Sequence, residues 1–152
     1  MAEQKKVRIR EAKVRDVGLF TKLWKAYLES NEKVGSVICP NERNMAGPTI
    51  LFERYVSGDL RGVVLFVADY AVFMAGEQTL PLEYNCGRVA NLWGSHVLPS
   101  HEVGPQLVNE GLKRLKEKGF NTLLFTCVAD HGLENMLPNP KPIFVTVKAP
   151  LE

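Results

Sequence analysis

The stretch that most constrains the fold runs from Arg88 to Cys127, where two apolar segments flank an amphipathic one. Val89, Ala90, Leu92, Trp93 and Val97 place apolar residues on both faces of a strand spanning Arg88 to Val97, the pattern of a strand in the middle of a covered sheet. Leu107, Val108, Leu112 and Leu115 then recur at three- and four-residue spacing, with Glu110, Lys113, Arg114, Lys116 and Glu117 between them. That spacing predicts a helix over Gly104 to Lys118 with one buried face. Pro105 suits its first turn, where a missing N–H costs nothing, and Gly119 suits its left-handed close. Thr122 to Cys127 is a second strand, and two strands joined by such a crossover run parallel. The unit is β-α-β, and the class is α/β with mixed (α+β) character.

The rest of the chain adds elements on both sides. Val7 to Arg10 alternates apolar with charged, as an edge strand with one buried face does. Val17, Phe20, Leu23, Trp24, Tyr27 and Leu28 form a helical stripe, giving a first helix over Val14 to Glu29 with Asp16 in its first turn. Ser30 to Gly47 has no sustained period and reads as a loop or irregular helix. Pro48 opens a short helix that Gly58 stops after Ser57, with Leu51, Phe52, Tyr55 and Val56 inward. Val63 to Val67 and Ala71 to Ala75 form an antiparallel hairpin, followed by a loop over Gln78 to Asn85. Beyond Cys127 come a short helical segment at Leu133 to Leu137, bounded by Pro138 and Pro140, and a strand carrying Ile143, Val145 and Val147.

With 152 residues, 45% of them hydrophobic, the chain suits one domain with a real core. A net charge of +2 is no nucleic-acid footprint. The charges at 113–118 read first as a solvated helix face. Cys39, Cys86 and Cys127 lack metal-ligand spacing and read as reduced thiols of a cytoplasmic protein. Neither a signal peptide nor an apolar run of membrane-spanning length is visible, so no membrane partner is expected.

The central unit resembles that of the GNAT superfamily of acyl-coenzyme A dependent N-acyltransferases. That family places a pyrophosphate loop, R/Q-x-x-G-x-G/A, after a strand ending V-x-P. The corresponding run here is Val97-Leu98-Pro99-Ser100-His101-Glu102-Val103-Gly104-Pro105-Gln106. Gly104 matches the central glycine, whereas His101 replaces Arg or Gln, Gln106 replaces a small residue, and Pro105 removes an N–H. Ile9-Arg10-Glu11-Ala12 is similar to the opening of many members. The resemblance implies a GNAT-like sheet, mostly antiparallel and flanked by helices, with the two core strands splayed at their carboxyl ends. It further implies acetyl-CoA as co-substrate, an amine acceptor bound by the segment between the first two helices, and a monomer or homodimer. No tyrosine follows Tyr84, so the tyrosine general acid of typical members has no counterpart. A silent GNAT-like domain, serving as a binding or assembly module, is therefore the alternative to an N-acetyltransferase.

Acyl transfer from a thioester to an amine needs a neutral amine, a polarised carbonyl and a proton for the departing thiolate. His96, near the carboxyl end of the first core strand, is the first candidate for general base, since its ordinary pKa suits deprotonating an amine. A histidine that only fills its strand position is the competing reading. Glu77 is a second catalytic candidate, beside Glu83, and Asp130-His131 lies beyond the second core strand. Gly94 marks either a bulge or room for Trp93. The cofactor candidates are Val97 on the strand and the N–H groups of Val103, Gly104 and Gln106 at the helix start, where the dipole favours phosphate. Glu102 competes as an ordinary cap of the same helix. No metal site is expected, because no further ligands are suitably spaced.

Overall fold

The computed structural model describes residues 7–33, 41–77, 88–92, 96–97, 103–125 and 149–150. At its centre, β2 (Gly62–Val67) and β3 (Ala71–Gly76) form an antiparallel hairpin in unbroken register from Gly62↔Gly76 to Val67↔Ala71. Every residue of both strands is buried, which explains their continuous apolar composition: a sheet covered on both faces has no solvent side for polar residues. β1 (Ile9–Glu11) pairs antiparallel with the outer edge of β2, as its alternating pattern predicts. On the other side β4 (Val89–Leu92) pairs antiparallel with β3 and parallel with β6 (Thr122–Phe125). The strand order is β1-β2-β3-β4-β6, and β5 (His96–Val97) also pairs with β3.

Helix α3 (Val103–Glu117) crosses from β5 to β6 and covers one face. Val103, Leu107, Val108 and Leu115 pack with Val63, Leu65, Val67, Phe73 and Ala90, and Leu112 joins them half-buried. Gly119 closes the helix at φ 94°, in the left-handed region expected of it. The opposite face is covered by α1 (Val17–Lys33) and α2 (Glu42–Ser57). There Phe20, Leu23, Trp24, Tyr27, Leu28, Leu51, Phe52 and Tyr55 enclose Val64, Phe66, Val72 and Met74. Neighbouring residues of β2 and β3 thus feed two separate cores, one under each helical layer.

Two boundaries differ from the sequence reading. A 3-10 turn at Val14–Asp16 leads into α1, which runs to Lys33 rather than Glu29. α2 begins at Glu42, capped by Asn41 Oδ1 accepting the Asn44 N–H at 3.0 Å, so residues 42–47 are helical and Pro48 lies inside the helix. The interior proline is tolerated because the Asn44 carbonyl, which a residue with an N–H at position 48 would satisfy, accepts instead from Trp24 Nε1 at 3.3 Å. Gly58 ends α2 at φ 88°, as expected. The expected loop at Gln78 to Asn85, residues Thr126 and Cys127, the helical segment at Leu133 to Leu137 and the final strand lie outside the described residues, as does any splay of the core strands.

Candidate functional site

The single strand expected over Arg88 to Val97 is two pieces, and their registers locate an irregularity. Leu92 pairs with Ala75, and His96 pairs with Val72. Four steps along β4 and β5 are therefore matched by three along β3, the count of a β-bulge with one extra residue. Residues 93–95, Gly94 among them, lie outside the described residues, so the offset is read from the paired positions on either side. On the far side of the break β5 keeps its bonds to β3, while the parallel ladder of β4 with β6 spans Val89–Leu92.

The sheet and α3 together define two ends. At one end stand the Val67–Ala71 turn, β5 with Val97 opposite Ala71, and the start of α3. Gln106 Oε1 accepts the Val7 N–H at 3.3 Å, which pins the segment before β1 to the first turn of α3. Val103 and Gly104 are buried there and Pro105 is exposed. The backbone N–H groups of Val103 and Gly104 belong to the opening turn of α3, ahead of the first bond of the helical ladder, and Gln106 follows them at the end of that turn. α1 lies across β3 and β5, so the His96 backbone sits on a floor roofed by that helix. Val72, its register partner, belongs to the core beneath α1 and α2.

Glu77 stands at the other end. It follows β3 five positions beyond Val72, about 16 Å along the strand, so the structure does not bring His96 and Glu77 together. Its Oε2 accepts the Arg61 backbone N–H at 2.8 Å and its Oε1 accepts Arg61 Nε at 3.0 Å. The Glu77 N–H in turn donates to the Arg61 carbonyl at 2.9 Å, and Tyr55 donates its hydroxyl to the Glu77 carbonyl at 2.6 Å. The Arg61 backbone N–H, with the guanidinium after it, holds the Glu77 carboxyl below the usual carboxylate range despite some desolvation. Arg61 also donates to the Lys118 carbonyl at 3.1 Å and lies over the Phe120 ring at 4.9 Å. Glu77 and Arg61 thus join the open end of the hairpin to the end of α3. The sequence reading missed Arg61, although the signal was present: a register of Gly62↔Gly76 sets Arg61 directly opposite Glu77.

Among the described residues no three His, Cys, Asp or Glu side chains lie close enough to hold a metal ion, and no helix is long and apolar enough to cross a membrane. Glu83, Glu102, His101, Asp130 and His131 lie outside the described residues.

Neither a family model nor a curated protein matches the sequence. Solved structures do match. A predicted acetyltransferase of Clostridium acetobutylicum with acetyl-CoA superposes with a TM-score of 0.71 at 14% identity, over 94% of this chain and 96% of that one. Glucosamine-6-phosphate N-acetyltransferase of Arabidopsis thaliana gives 0.58 at 16% identity, over 95% and 99%. A GNAT family acetyltransferase of Brucella melitensis in complex with acetyl-CoA gives 0.57 at 13% identity, over 84% and 79%. At such identities the likeness is one of backbone architecture, and it agrees with the element order and mixed sheet described above: this chain has the GNAT acetyltransferase fold.

Proposed function

We propose that this protein is an acetyl-CoA dependent N-acetyltransferase whose site lies between β5, α1 and the start of α3. The observation that carries the reading is the one-residue register offset between Leu92 and His96, at the end of the sheet where α3 begins. A break there removes regular strand pairing where a thioester needs backbone donors and space. Acetyl-CoA in the similar structures named above supports the choice of co-substrate. In this reading the pyrophosphate rests at the start of α3, on the N–H groups of Val103 and Gly104 and beside Gln106, with the helix dipole favouring its charge. The pantetheine arm follows the backbone at Val97.

The reaction is direct attack. The amine nitrogen bonds to the thioester carbonyl carbon, the C–S bond breaks, and the thiolate of coenzyme A takes up a proton. A backbone N–H near the bulge stabilises the oxyanion. His96 accepts the amine proton, and an ordinary imidazole pKa matches that task near neutral pH. Glu77 takes no part in this scheme, because it lies at the far end of β3 with both carboxyl oxygens engaged by Arg61.

Calorimetry with acetyl-CoA and with free coenzyme A tests the proposal. Both are expected to bind. Absence of binding for both at millimolar concentration overturns the enzyme reading and leaves a GNAT-fold module with another partner.

A further inference from the structure

Helix α2 changes character at Gly47 and Pro48. Pro48 has no N–H for the Asn44 carbonyl and its ring crowds that oxygen, so one backbone bond of the helix is missing. Side chains take over at this point: Trp24 Nε1 donates to the Asn44 carbonyl at 3.3 Å, and Thr49 donates its hydroxyl to the Met45 carbonyl at 2.7 Å. Burial divides at the same place. Before the break Glu42, Arg43, Ala46 and Gly47 are exposed and Asn44 and Met45 half-buried, whereas beyond it Leu51, Phe52 and Tyr55 sit in the core. Alongside, an open groove of about 530 Å³ separates this half of α2 from α1, lined among others by Thr21, Lys25, Glu42, Met45, Ala46 and Ile50. A Cβ at Gly47 would meet nothing within 4 Å, so no neighbouring element packs against that side of the helix.

We propose that residues 42–47 form a hinged flap, which swings on Gly47 and Pro48 to widen the groove and is latched shut by the Trp24 indole. The latch has a physical preference for the closed state. Trp24 is 9% exposed, and opening separates its part-buried indole N–H from the Asn44 carbonyl. Opening also lifts Met45 off the core between α1 and α2 and pulls on the Thr49–Met45 bond, while Leu51, Phe52 and Tyr55 stay in place. The device does not rest on the acetyltransferase reading.

Amide hydrogen exchange of the full chain tests it. In the wild type, Met45, Ala46 and Gly47 are expected to exchange in a common opening step, faster than Leu51, Phe52 and Tyr55. Pro48→Ala restores an N–H for the Asn44 carbonyl and should slow exchange at 45–47 about five- to tenfold, the worth of one hydrogen bond, relative to 51–55. Trp24→Phe removes the latch and should speed 45–47 by a similar factor relative to 51–55. Because phenylalanine at 24 also alters the core, the Pro48→Ala arm stands without it. A single rate across 45–55 in the wild type, or an unchanged ratio in Pro48→Ala, overturns the proposal.

Discussion

Gly111 meets the ring of Phe73 where α3 crosses β3. A Cβ at position 111 would stand 2.4 Å from Phe73 Cε1, and Phe73 is fully buried. Alanine is the better helix former by about 1 kcal/mol, but forcing a methyl group into a packed core costs about 1–3 kcal/mol. Against a fully buried ring overpacking is the larger effect, and Gly111→Ala should lower stability by up to about 2 kcal/mol in urea unfolding. A stabilised variant would mean that α3 packs differently. Two carboxylates give the acid limb of stability. Asp16, bound chiefly by the Arg10 guanidinium, and Glu77, bound chiefly by the Arg61 backbone N–H, both have lowered pKa values in the folded state. The folded state therefore holds its protons less tightly than the unfolded one. The stability these groups supply is present at neutral pH and is lost as pH falls through the ordinary carboxylate range, about pH 4, and below. Glu77→Gln should lower the thermal midpoint at pH 7 and flatten its fall on acidification, while leaving acetyl transfer at saturating substrate unchanged. A collapse of turnover in a folded Glu77→Gln protein would return that residue to the catalytic set. The sequence marked Glu77 as a carboxylate near a strand end, but residue type alone does not reveal that Arg61 engages both of its oxygens.

At the scale of elements, most of the architecture was legible because period and burial agree. The stripe of α1, the hairpin and the parallel pair β4 and β6 follow from apolar spacing, which reports covered faces directly. Leu115 is 3% exposed and Leu112 half-buried at the edge of the same core, so Leu115→Ala should cost about 2–5 kcal/mol and Leu112→Ala distinctly less. Equal losses in urea unfolding would mean that α3 is rotated from the face described. What escaped local reading were features settled by distant partners. Asn41 and Gly47 look like loop residues and Pro48 like a helix start, yet residues 42–47 are helical and the carbonyl that Pro48 cannot satisfy is met by Trp24, far earlier in the chain. Likewise, the offset that divides β4 from β5 is a relation to β3, and only pairing exposes it.

At the scale of the molecule, the two faces of the sheet and its two ends do different work. The faces carry separate cores, while the Glu77 and Arg61 end is closed by hydrogen bonds and the β5 end carries the start of α3. This polarity lets binding and chemistry be separated by mutation. If pyrophosphate sits on the first N–H groups of α3, a ligand that binds only the folded chain should raise its thermal midpoint by mass action, increasingly with acetyl-CoA concentration. Gly104 is buried in that first turn, so Gly104→Glu adds both bulk and like charge to the expected phosphate position and should abolish the shift. His96 stands on β5 opposite Val72, away from the helix start in sequence, and His96→Ala should leave the shift intact. In that variant turnover should fall by about 10²- to 10⁴-fold, the usual worth of a general base, and fall most below the acceptor's pKa, where the amine must first lose a proton. Loss of the thermal shift in His96→Ala would make His96 part of the coenzyme site, whereas full turnover with the shift intact would remove it as the base and leave proton removal to solvent or to the acceptor itself.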